Sequence, residues 1–320
     1  MMTMFGVAIF GMRAIAEASA LRIVDCLFVG TFIAVFAALV SHLSRRQSSS
    51  HRFAVWFSAL IALAASPFLS GMIWSSGEST SAGFARAAVT LPGSWAFYLF
   101  AVWAGIAAWF LLRLGIGLWR LRSLRGTFVP VDLEEPDAQV RETLTHRGRR
   151  GPVPLYTSER VQVPAVIGLF EPVVVVPRWV LDELSAGELN QVLLHELAHL
   201  RRRDGWTNLA QQVIKAVFFF HPAAWWIERK ISLEREMACD EAVLTETESP
   251  RAYAECLKHL AEKTLLLRSL ALAQAVLGRV RQTSMRVAHI LDGTRHPRSA
   301  KNAWGAALSL AMLLIASGKM

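Results

Sequence analysis

The chain of 320 residues is 53% hydrophobic and only 18% charged, with eleven Trp and a positive mean hydropathy. Soluble domains average nearer a quarter charged, so this composition argues against a wholly water-soluble globule and for membrane spans. The net charge of +9 would suit nucleic acid or acidic lipid, but Lys and Arg gathered in the cytoplasmic loops of a membrane protein explain it without direct nucleic-acid binding. Three cysteines without paired spacing speak against a disulfide framework and against a Cys-based zinc ribbon.

In chain order, residues 26–41 form an uncharged apolar run, extended at its start by 21–25, and 53–76 and 95–112 are uncharged throughout. Each is long enough to cross a bilayer as a helix of about 20 residues. A fourth run, 302–318, is just long enough, with Trp304 near one interface. Residues 1–20 lack a compact basic start, so the first run is expected to be retained rather than cleaved as a signal peptide. Arg45, Arg46 and Arg52 lie between the first two runs, and Arg120, Arg122 and Arg125 follow the third, whereas 77–93 holds only Arg86. The positive-inside rule then places residues 121–301 in the cytoplasm and both termini outside. The expected organisation is a membrane region 1–120 with three spans, a cytoplasmic domain 121–301 and a fourth span 302–320.

Within the domain, 153–156 and 173–176 read as short strands among Pro152, Pro164, Gly168 and Pro177. Ser185 with Glu188 three residues on is a capping-box signature that opens a helix to about Arg203. A second apolar helix is expected over about 206–220, and His221-Pro222 starts a third, since Pro suits a first helical turn.

The sequence His195-Glu196-Leu197-Ala198-His199 lies on the first of these helices. Positions i and i+4 share a helical face, so both imidazoles can hold one ion while Glu196 reaches its water. Imidazole donors suit zinc, which in catalytic sites takes three protein ligands plus water. The helix is apolar almost all round, and two His and a Glu inside it are costly unless coordinated or paired. On the third helix, Glu236 shares a face with Leu233, Met237, Val243 and Leu244, which makes it the best candidate for the third ligand. Asp240, one turn later, is placed either to orient a ligand His or to serve as an ordinary ion pair or cap. Asp204 reads as a salt-bridging or ligand-orienting group. Glu234, Glu241 and Glu248 recur every seven residues and read as a solvated stripe. His221 reads as a cap, and Cys239 as a small buried residue.

The stretch 164–172 (Pro-Ala-Val-Ile-Gly-Leu-Phe-Glu-Pro), Val176-Pro177, the His195–His199 motif with Arg202-Arg203-Asp204, and 234–244 (Glu-Arg-Glu-Met-Ala-Cys-Asp-Glu-Ala-Val-Leu) together resemble the integral-membrane peptidases of the BlaR/MecR type. The resemblance is close over 153–244. It implies a mainly α membrane protein with four transmembrane helices and an inserted α+β, gluzincin-like zinc peptidase domain. His195, His199 and Glu236 would be the Zn2+ ligands and Glu196 the general base. It further implies location in the bacterial cytoplasmic membrane and a protein substrate, which in the best-known members is a transcriptional repressor. Self-cleavage within 270–300 is a further expectation, and a homo-oligomer remains open. The chain stops at Met320 with no C-terminal penicillin-binding sensor, so β-lactam sensing is not expected.

Overall fold

The computed structural model describes residues 26–74, 93–132, 138–146, 151–247, 249–267 and 273–292. The fourth apolar run and Glu248 lie outside them. Helices dominate: α1 (Cys26–Leu43), α2 (Ser49–Trp74), α3 (Gly93–Leu124), α4 (Ala138–His146), α5 (Arg178–Glu183), α6 (Ala186–Arg202), α7 (Asp204–Val217), α8 (Pro222–Leu244), α9 (Pro250–Leu267) and α10 (Ala273–Leu291). A small sheet of β1 (Val129–Pro130), β2 (Leu155–Thr157), β3 (Ala165–Ile167) and β4 (Val173–Val176) lies between α3 and α5 in sequence. Its order is β1-β2-β4-β3, with β2 parallel to β4 and the outer strands antiparallel. The two expected strands are β2 and β4; β1 and β3 are additions of two and three residues.

Two of the described helices are long and apolar enough to cross a membrane: Cys26–Leu43 and Phe97–Thr127. Both turn large apolar side chains outward, with Phe28 74% and Trp119 69% exposed. The second expected span falls in α2, which is instead largely covered: Phe53, Val55, Trp56, Leu60 and Leu63 are buried in a cluster shared with α1 and the first half of α8. A second cluster joins α4, the sheet, α5 and α6, and a third joins α6, α8, α9 and α10.

Local sequence explains the ends that position the site. The Ser185 side chain accepts the Glu188 backbone N–H while the Glu188 carboxylate accepts the Ser185 N–H at 2.9 Å, so two otherwise orphaned donors of α6 are satisfied. At its other end Arg203 adopts φ 57°, a left-handed cap. That turn reverses the chain and brings Asp204, the first residue of α7, back beside α6. His221 caps α8, its Nδ1 accepting the Ala223 N–H at 3.1 Å, and Pro222 occupies the first turn.

Candidate metal centre

Helix α6 presents His195 and His199 one turn apart, with ring centroids 4.9 Å apart and planes nearly perpendicular. Helix α8 crosses α6 and brings Glu236 to both: its carboxylate lies 3.6 Å from His195 Nε2 and 3.8 Å from His199 Nε2. The three donors lie within 4.8 Å of one another. Metal–ligand bonds of about 2.0–2.2 Å at tetrahedral angles separate donor atoms by about 3.3–3.5 Å, so this spacing suits a single small cation. Glu196, 9% exposed, lines the same cleft.

The far side of each imidazole is anchored. His199 Nδ1 lies 2.8 Å from Asp204 Oδ2, the contact that the left-handed turn at Arg203 creates. His195 Nδ1 lies 3.2 Å from Asp240 Oδ1 and 3.1 Å from the Tyr253 hydroxyl. Tyr253 in turn donates to Asp240 at 2.7 Å, so its oxygen is free to accept from Nδ1–H. In the neutral imidazoles, an Nδ1–H directed at these carboxylates leaves each Nε2 lone pair facing Glu236, which is the tautomer a metal ligand needs. The donor set, its spacing and the carboxylates behind both imidazoles all fit a divalent metal held by nitrogen and oxygen.

The charges around the site are mutually compensating. Arg286 of α10 donates to both Asp240 oxygens at 2.8 and 2.7 Å and lies 3.5 Å from Glu236 and 3.4 Å from His195 Nε2. Burial opposes ionisation of Asp240, but Arg286 and His195 hold its carboxyl well below the usual range. Glu236 is likewise buried, yet hydrogen bonding to His195 and the charges of His199 and Arg286 hold its carboxyl below the usual range. Burial alone would lower the His195 pKa; Asp240 and Glu236 outweigh it and raise the imidazole to about 9 in the metal-free protein. Burial, then the neighbouring Asp204, pushes the Cys239 thiol up, and its Sγ lies 3.3 Å from His199 Nδ1. A thiol so placed packs beside the site as a protonated group and is no nucleophile.

The structure thus brings together His195, Glu196, His199, Asp204, Glu236 and Asp240. Asp240 contacts His195 and also pairs with Arg286. The expected solvated stripe is corrected. Glu234 is buried against Arg52 at 2.9 Å, and Glu241 accepts from the Ser49 hydroxyl at 2.6 Å and meets His289 at 3.1 Å. Sequence reasoning missed Tyr253, Arg286 and His289, which arrive from α9 and α10 with no local motif. One wall of the cleft is β3 and the turn after it, through Ala165, Val166 and Phe170; the other is α9 and α10, through Tyr253, Leu257 and Arg286.

Comparison with known families matches residues 27–290 to the BlaR1 peptidase M56 family. The curated relatives include regulatory protein BlaR1 of Bacillus licheniformis, 35% identical over 90 residues, which are 28% of this chain and 15% of the relative. They also include the methicillin resistance mecR1 proteins of Staphylococcus aureus and Staphylococcus epidermidis, 31% identical over 87 residues, 27% of this chain and 15% of theirs. The similar segment thus spans under a sixth of each relative's length. The family match covers most of the chain, and it includes all six site residues: the chain belongs to the BlaR1 peptidase M56 family.

Proposed function

We propose that the chain is a membrane-embedded zinc metalloendopeptidase that hydrolyses a peptide bond of a protein substrate. The observation that carries this reading is the pair of Nδ1-anchored histidines converging with Glu236, and Glu196 beside them, on an open cleft. His195, His199 and Glu236 would hold the ion. When bound, zinc supplies Lewis acidity and lowers the pKa of water. Glu196 accepts the proton of the attacking water and returns it to the leaving amine nitrogen. Asp204 and Asp240 keep the two imidazoles oriented, and Tyr253 stays a hydrogen-bond donor because burial and Asp240 push its pKa well up. Among the described residues β3 pairs with β4 alone, so its other edge borders the cleft and suits an extended peptide backbone.

A cytoplasmic orientation for the metal centre is supported by contacts of the first turn of α2, the end of the basic segment 44–52. Arg52 pairs with Glu234, Ser49 with Glu241, and Arg202 of α6 donates to Ser50 at 2.8 Å. The basic segment 44–52 that the positive-inside rule assigns to the cytoplasm therefore touches, through the first turn of α2, the helices that carry the candidate ligands. The relatives are named for regulation and methicillin resistance, which fits proteolytic signalling such as repressor inactivation, with self-cleavage within 270–300 as a second target. The test is Glu196→Gln: it should retain the metal and lose cleavage of casein or of the chain itself by at least about 100-fold. A variant that binds zinc and cleaves as wild type does would contradict the reading.

A further inference from the structure

Between α7 and α8 the stretch 216–227 (Ala-Val-Phe-Phe-Phe-His-Pro-Ala-Ala-Trp-Trp-Ile) carries no Lys, Arg, Asp or Glu. It is bracketed by Lys215 and Glu228, which pair with each other at 3.6 Å. Its contacts are with the apolar helices α1, α2 and α3. Trp103 of α3 donates its indole N–H to the Val217 carbonyl at 3.0 Å, and Phe110 meets Phe219 with ring centroids 6.0 Å apart. Phe218, Ala223, Ala224 and Ile227 share a buried cluster with Ile33, Ala34, Leu60 and Leu63 of α1 and α2. His221 Nε2 lies 3.1 Å from the Cys26 carbonyl. Gly30 faces it so closely that a Cβ there would fall 2.2 Å from Nε2, so only glycine lets α1 approach.

The depth follows from helix geometry. At 1.5 Å per residue, Trp103 lies about 15 Å from Arg113, and Leu63 about 16 Å from Arg52, those arginines being the nearest charges on the metal-centre side. Phe110, which meets Phe219, lies about 4–5 Å from Arg113, and Gly30, which faces His221, lies about 22 Å from Arg45, so these contacts bracket the tip within a hydrocarbon layer of about 30 Å. A turn at that depth must satisfy its backbone within the protein. The Val217 carbonyl takes the Trp103 indole and the Phe219 carbonyl takes the Trp225 indole at 2.8 Å. The Ala223 N–H goes to His221 Nδ1, His221 N–H to the Phe218 carbonyl at 2.9 Å, and Pro222 has no N–H to satisfy. Meanwhile Trp225 and Trp226, 36% and 38% exposed, point apolar surface outward.

We propose that the end of α7 and the start of α8 form a re-entrant hairpin that enters the bilayer from the metal-centre side, turns inside the hydrocarbon layer at 218–222, and contacts lipid acyl chains. Helix α8 then joins an acyl-chain anchor at Pro222 to the Glu236 carboxylate, and the metal centre sits at the membrane surface. This inference does not depend on hydrolysis.

The test uses the wild-type full chain in phospholipid bilayers doped with a lipid bearing a mid-chain diazirine. Photolysis and peptide mapping should yield adducts within 218–227 as well as on α1 and α3. Adducts on α1 and α3 with none within 218–227 would overturn the proposal. A nitroxide at Trp225→Cys or Pro222→Cys should collide more with oxygen than with an aqueous nickel chelate, opposite to one at Lys258→Cys on α9. Nickel accessibility at 222 and 225 equal to that at 258 would likewise overturn it.

Discussion

From Pro222 to Ile231, α8 is held by apolar burial and aromatic edges: Ala224, Ile227 and Ile231 are fully enclosed, and Trp226 meets Trp56 edge-on at 5.4 Å. From Glu234 to Glu241 the same helix is held by charge, with Glu234 on Arg52, Glu236 between His195 and His199, Asp240 on Arg286, and Glu241 on Ser49 and His289. Apolar contact is non-directional and sets where the helix lies. Paired charges are costly to bury and tolerate no missing partner, so they set the side-chain geometry on which a metal depends. One helix thus divides anchoring from chemistry along its length, and a substitution in the apolar half should change stability while leaving metal affinity alone.

The sharpest break is expected at Asp240→Ala, which strands the Arg286 guanidinium and frees His195 Nδ1. Loss of a buried partner costs about 3–5 kcal/mol, and loss of a ligand-orienting carboxylate weakens metal binding about 10–100-fold. Thermal unfolding and chelator competition measure the two separately. Ile231→Ala in the apolar half should lower stability by about 2–5 kcal/mol through the cavity it leaves, with metal affinity within about threefold of wild type. If its affinity falls as far as that of Asp240→Ala, the division along α8 is wrong.

A smaller effect is expected with pH. His195 is raised from 6.5 to about 9 in the metal-free protein, so its protonation contributes stability that is fully present below 6.5 and is lost as pH rises through about 9. Metal binding requires the neutral imidazole and must displace that proton. Zinc affinity should therefore climb between pH 6.5 and 9, and titration calorimetry in two buffers of different ionisation enthalpy should register proton release. A flat affinity across that window would show that His195 is already neutral in the metal-free protein.

The parts legible in the sequence were those with short-range causes. The His-Glu-x-x-His pair is a matter of helical spacing, the capping box at Ser185 set the start of α6, and the apolar stripe around Glu236 singled it out. What could not be read depended on partners distant in the chain. Glu241 is 192 residues from Ser49 and Glu234 is 182 from Arg52, so a regular seven-residue spacing of carboxylates reads as solvated although the first turn of α2 covers Glu234 and Glu241. Arg286 and Tyr253 sit in ordinary helical sequence and gain a role only because α9 and α10 pack over α6 and α8. The strands β1 and β3 are too short, and too close to prolines, for an alternating pattern to register. The sequence places 218–220 in a helix running to about 220, whereas α7 ends at Val217; the place of the turn at 218–222 among the apolar helices emerges only from its contacts with Trp103, Phe110 and Cys26.

The central claim, one metal held by His195, His199 and Glu236, is tested most directly by the zinc content of purified wild type beside Glu236→Ala. The account predicts about one zinc per chain in wild type and less than about a tenth of that in the variant, with both proteins folded by circular dichroism. A wild type without zinc, or a Glu236→Ala variant that keeps a full equivalent, would contradict it.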